Sequence, residues 1–153
     1  MTTIARNYAI ARTEFLEAAA AADTEIAHVM HPETGLEGED LAIDLAWLGP
    51  RDADRILMVM SATHGVEGFA GSTLQTQTLI EHAGALPDNL GLLFVHALNP
   101  FGFSWTRRVN EDNVDLNRNF VDFDAPLPLN DSYESIADLL VPTDWSEESQ
   151  VTT

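Results

Sequence analysis

Residues 55–98, RILMVMSATHGVEGFAGSTLQTQTLIEHAGALPDNLGLLFVHAL, carry the pattern that decides the fold. Ile56 to Met60 is apolar without a break, which predicts a central strand covered on both faces. Leu92 to Val95 is a second run of the same kind. Between them Ser72 reads as an N-cap and Gln75 completes a capping box. The helix so opened runs to His82, and Gly84 is placed to stop it. A strand, a helix of about a dozen residues and a strand make a parallel, right-handed crossover. The fold class is therefore α/β, with a mixed, largely parallel sheet and flanking helices.

Outward from this unit, residues 7–22 place Tyr8, Ala11, Phe15 and Ala22 at helical spacing. In DLAIDLAWLG, residues 40–49, Leu41, Ile43, Leu45 and Trp47 alternate with Asp40 and Asp44. That alternation predicts a half-buried strand near a sheet edge. From Phe120 the chain is rich in loop residues, and Asp131 with Glu134 predicts a second capping box opening a helix to Leu140. Residues 1–145 are expected to form one domain and 146–153 a polar tail.

The chain has 153 residues, 25 acids and 7 bases, for a formal net charge of −18. All the bases are arginine. Such a surface repels nucleic acid and anionic membranes, so neither is expected as a partner. There is no cysteine, so any zinc here must use imidazole and carboxylate ligands. No segment reads as a signal peptide or a bilayer span, and a cytoplasmic protein is expected.

Two constellations carry chemistry. His64 and Glu67 stand three apart among Gly65, Gly68 and Gly71, just past the first strand of the crossover. Asn99, Pro100 and Gly102 stand just past the second, so both loops share the carboxyl rim where α/β sites form. Downstream, RRVNEDNVDLNRNF, residues 107–120, gathers Arg107, Arg108 and Arg118. These arginines either pair with Glu111, Asp112 and Asp115 or hold an anion, since a guanidinium fork matches a carboxylate. His96 reads as a core or pocket-wall histidine, and His28, His31 and His82 as surface residues. Phe103 and Trp105 are expected to pack beneath the loop rather than line a pocket.

In this order, HGVE, NPFGF and RVNEDNVDLNRNF resemble the motifs of the zinc carboxypeptidase family. The similarity is closest to a bacterial branch of carboxypeptidase-like proteins of unassigned function, and runs from the first helix to about Trp145. The resemblance implies a carboxypeptidase-like fold and a role for each matched position. His64 and Glu67 would be the first two zinc ligands. Asp115 would hydrogen-bond the ligand histidine and fix its tautomer. Arg108 would polarise the scissile carbonyl, and Asn117 with Arg118 would grip the substrate's terminal carboxylate.

The family also needs a third histidine ligand and a glutamate base downstream, and no histidine follows His96. Three readings follow. One is the N-terminal half of a zinc peptidase or amide hydrolase, truncated and inactive as this chain, with a small peptide as substrate. Another is a non-catalytic carboxylate-binding or assembly module. The third is an N-acyl amino acid deacylase. An incomplete α/β layer is also expected to expose sheet surface and to favour homo-oligomers.

Overall fold

The computed structural model describes residues 4–141. The chain divides into two units, Met1–Asn119 and Phe120–Thr153. In the first unit Asn7 caps helix α1 (Tyr8–Ala21), its side chain accepting a hydrogen bond from the Ile10 amide. Four strands follow: β1 (Glu25–Thr34), β2 (Asp40–Leu48), β3 (Arg55–Met60) and β4 (Leu90–His96). Helix α2 (Gly68–His82) links β3 to β4, and the short α3 (Pro100–Ser104) follows β4.

The sheet order is β1-β2-β4-β3. β3 and β4 are parallel, as the crossover requires, whereas β1–β2 and β2–β4 are antiparallel. The sheet is thus mixed with less parallel character than its sequence suggests. The reason is the turn between β1 and β2. Gly35 donates its amide to the Glu39 carbonyl at 2.8 Å and Gly38 adopts φ +82°, so the chain reverses within a few residues and must pair antiparallel.

Two strand positions differ from expectation. β2 is an inner strand, because the unforeseen β1 pairs outside it. Its Asp44 is fully buried beside the small residues Ala42 and Ala46. A carboxylate tolerates that burial only with partners. Arg12 on α1 donates from Nε and Nη2 at 2.8 and 3.1 Å, and His28 on β1 lies 2.6 Å away. β3, expected in the centre, is an edge strand whose one neighbour among the described residues is β4. Its Ile56, Leu57, Met58 and Met60 are all more than half exposed.

α1 and α2 cover one face of the sheet through Phe15, Ala19, Leu79, Phe94 and Leu92. Burying each large apolar side chain stabilises the fold by roughly 1.5–3 kcal/mol. His96 sits in this layer, fully buried and stacked on Phe15 at 4.4 Å. Burial pushes its pKa down to about 4. Its Nε2 lies 2.9 Å from the Ser72 hydroxyl and its Nδ1 3.9 Å from Asp44. The trio has the residue types of a hydrolase triad, but no member exceeds 2% exposure, so no substrate reaches it.

Ser72 and Gln75 do not cap α2. A 3₁₀ turn over Gly65–Glu67 runs straight into the helix, which starts at Gly68 and leaves both residues buried inside it. Phe103 packs in a second cluster with Tyr8, edge-on at 5.5 Å. Trp105 is stacked on Phe101 and partly exposed.

In the second unit the helix splits into α4 (Asp131–Glu134) and α5 (Ala137–Leu140). Asn130, not Asp131, is its N-cap, accepting from the Tyr133 amide at 3.1 Å. The tail over 146–153 lies outside the described residues. No described helix is long and apolar enough to cross a membrane.

Candidate active site

The carboxyl ends of β3 and β4 build the rim. Past each strand one buried alanine takes a left-handed conformation, Ala62 at φ 55° and Ala97 at φ 58°. Pairing resumes beyond them, with Leu98 N donating to Ser61 O and Asn99 N to Ala62 O, both at 3.0 Å. The chain then enters two turns that interlock. Gly65 donates to the Arg107 carbonyl at 2.9 Å, and Arg107 donates to the Gly102 carbonyl at 2.8 Å. A Cβ on Gly65 would stand 1.8 Å from the Gly102 oxygen, so only glycine permits this approach.

That junction brings His64 to the downstream motif. His64 is 7% exposed, and its Nε2 lies 2.9 Å from Asp115 Oδ1. Asp115 also accepts from Arg108 Nε at 2.8 Å and from the Asn117 amide at 3.0 Å. The His64 hydrogen bond foremost, then Arg108 and the Asn117 amide, hold the Asp115 carboxyl down to about 2, against the opposing effect of desolvation. An ionised carboxylate only accepts hydrogen bonds, so His64 must carry its proton on Nε2.

The other ring nitrogen then faces Glu67. His64 Nδ1 and Glu67 Oε1 are 3.3 Å apart. Two acceptors at that distance need a proton or a metal ion between them. The pair therefore fits two ligands of a metal in donor type and tautomer. Asp115 is not a third, because its oxygen serves the opposite nitrogen. Among the described residues no group of three histidine, aspartate or glutamate side chains is placed to hold a metal ion.

The three arginines separate. Arg108 pairs with Asp115, and among the described residues only its Nε is engaged. Arg107 donates to the Asn113 side chain at 3.1 Å and lies over Phe101. Arg118 sits with Asn117 on an exposed 3₁₀ turn, Leu116–Arg118, capped by Asp115. Among the described residues it forms no ion pair and donates to the Asn117 carbonyl at 3.0 Å. The pairing reading of the cluster thus describes Arg108, whereas Arg107 and Arg118 have no carboxylate partner among the described residues.

His31 departs from its expected surface place. Its ring is mostly covered and lies 3.2 Å from Glu111 at Nε2. No pattern in the sequence marked this pair, because β1 itself was not foreseen. The Gly65–Gly102 contact was also missed, although the glycines of both turns were visible.

Solved structures place the fold. A candidate carboxypeptidase from Burkholderia mallei matches 92% of this chain and 44% of its own, with TM-score 0.51 and 18% identity. A metallo-carboxypeptidase from Burkholderia cenocepacia matches 70% of this chain and 31% of its own, with TM-score 0.49 and 16% identity. A glutaminyl cyclase from Macrostomum lignano matches 61% and 32%, with TM-score 0.43 and 17% identity. This chain spans less than half the length of each. No curated protein matches it. The Burkholderia mallei likeness makes the fold carboxypeptidase-like α/β. The family described as "Protein of unknown function (DUF2817)" matches residues 4–153, and the chain belongs to it.

Proposed function

We propose that this chain carries part of the active site of a zinc-dependent, metallocarboxypeptidase-like hydrolase. The bond attacked is a peptide or amide bond next to a free carboxylate. One observation carries the reading: His64 offers Nδ1 toward Glu67 while Asp115 holds the proton on Nε2. That division of labour is what a metal-ligating histidine needs.

In this reading His64 and Glu67 hold the zinc ion, and a third ligand comes from outside residues 4–141 or from a neighbouring copy. Zinc, when bound, supplies Lewis acidity and a water of lowered pKa. Asn117 and Arg118 grip the substrate's carboxylate, and Arg108 swings its Nη groups to the scissile carbonyl. An N-acyl amino acid would present the same carboxylate, so deacylation uses the same grip. A non-catalytic, carboxylate-binding role has its own support, since Arg118 has no acidic partner and a three-donor metal group is missing among the described residues.

The test is calorimetric titration with zinc beside peptidase assays on C-terminal peptide substrates. The 153-residue chain is expected to bind zinc weakly and to cleave little or nothing. Asp115→Asn should weaken zinc binding about 10–100-fold, and His64→Ala should abolish it. Identical titrations of all three proteins would remove the metal reading, and robust turnover by the chain alone would remove the incomplete site.

For partners, we place a second copy on the open edge of β3. Among the described residues the strand offers unpaired backbone groups and four exposed apolar side chains, the combination that recruits another strand. Two copies at −18 repel one another, so association should grow with added salt. Light scattering should detect dimers that Met58→Lys reverses. A monomer at high protein and salt concentration would contradict this.

A further inference from the structure

Gln75 and Ser61 form a buried polar clamp that no motif accounts for. Gln75 is 1% exposed and Ser61 4%. The Gln75 amide nitrogen donates to the Val59 carbonyl at 2.8 Å and to the Val95 carbonyl at 3.2 Å. Its oxygen accepts from the Ser61 hydroxyl at 2.9 Å, and the Ser61 oxygen accepts from Ala97 N at 3.3 Å. One side chain from α2 thus ties together the last turns of both parallel strands.

The clamp sits where the backbone is strained. Ala62 and Ala97, each adjoining the clamp, hold left-handed φ values that cost an L-residue about 1–2 kcal/mol each. Such conformations persist only when their surroundings over-determine them. Ala62 stands two residues before His64, so the direction of this turn sets where the imidazole lies.

We infer that Gln75, with Ser61, is a positioning residue for His64. It holds the Ala62 turn so that Nε2 meets Asp115 and Nδ1 faces Glu67. The value of that placement rests on the metal-ligand reading of His64, but the placement itself can be tested apart from it.

The variant is Gln75→Leu, which keeps bulk and removes all three hydrogen bonds. Leu79→Ala, on the same helix and 1% exposed, serves as a comparably destabilised control outside the clamp. The first readout is the pair of imidazole nitrogen chemical shifts of His64 in metal-free protein, which report the tautomer. Wild type and Leu79→Ala should show a proton fixed on Nε2, and Gln75→Leu should show shifts drawn toward the average of the two tautomers. Zinc affinity, the second readout, should fall about tenfold further in Gln75→Leu than in the control. A wild-type nitrogen pattern in Gln75→Leu would overturn the inference. Should Gln75→Leu not fold, Ser61→Ala is read in the same way with a smaller shift. Should wild type bind no zinc, the metal reading falls while the nitrogen shifts still decide this one.

Discussion

Gly65→Ala should destabilise the first unit by about 3 kcal/mol or more, the upper range for an overpacked core position. The cause is space rather than φ. The new methyl would stand 1.8 Å from the Gly102 oxygen, 1.9 Å from its carbonyl carbon and 2.4 Å from the Phe103 nitrogen. All three are backbone atoms, so no rotamer change relieves the clash. The two turns must separate, breaking the Gly65–Arg107 hydrogen bond and drawing His64 away from Asp115. Urea unfolding should record the lost stability, and zinc titration the lost site. Gly84→Ala is the matched control, because a Cβ there meets nothing within 4 Å. Equal midpoints for the two variants would refute the account.

Asp44→Ala should cost about 3–5 kcal/mol, the range for breaking a buried ion pair by removing one partner. Arg12, only 20% exposed, would keep its charge without a counter-ion, and His28 would lose its 2.6 Å contact. The loss should exceed that of His28→Ala, since the His28 side chain is 44% exposed and can turn to water. Thermal unfolding of both variants gives the comparison. A loss below about 1 kcal/mol for Asp44→Ala would mean that Arg12 re-solvates freely and that the pair does not organise the core.

Asp44 also marks where the sequence could be read and where it could not. Alternation in DLAIDLAWLG announced a strand, but the face bearing Asp44 turned out to be covered, and more continuously than the apolar one. Alanines flank Asp44 there because α1 comes close, and no local pattern encodes the arrival of Arg12 from 32 residues away. The crossover was legible because long apolar runs and a glycine stop are local signals. β3 misled for a related reason. Its apolarity states that both faces can be covered, not which neighbour stands beside it. Ser72 and Gln75 imitated a capping box while serving the core, a substitution of tertiary for local hydrogen bonds. At the site, motif resemblance brought His64, Glu67, Asp115, Arg108, Asn117 and Arg118 together, and the structure places five of them in a connected set of contacts around Asp115. Arg118 joins that set through the Asn117 carbonyl.

The His64–Asp115 bond has a consequence for the order in which the molecule assembles. It joins residues 51 apart in the chain. Closing a flexible loop of that length costs about 3.5 kcal/mol in chain entropy, more than one such hydrogen bond returns. The bond therefore cannot gather its own loop. It needs the crossover and the glycine junction to shorten the distance first, so the site depends on both.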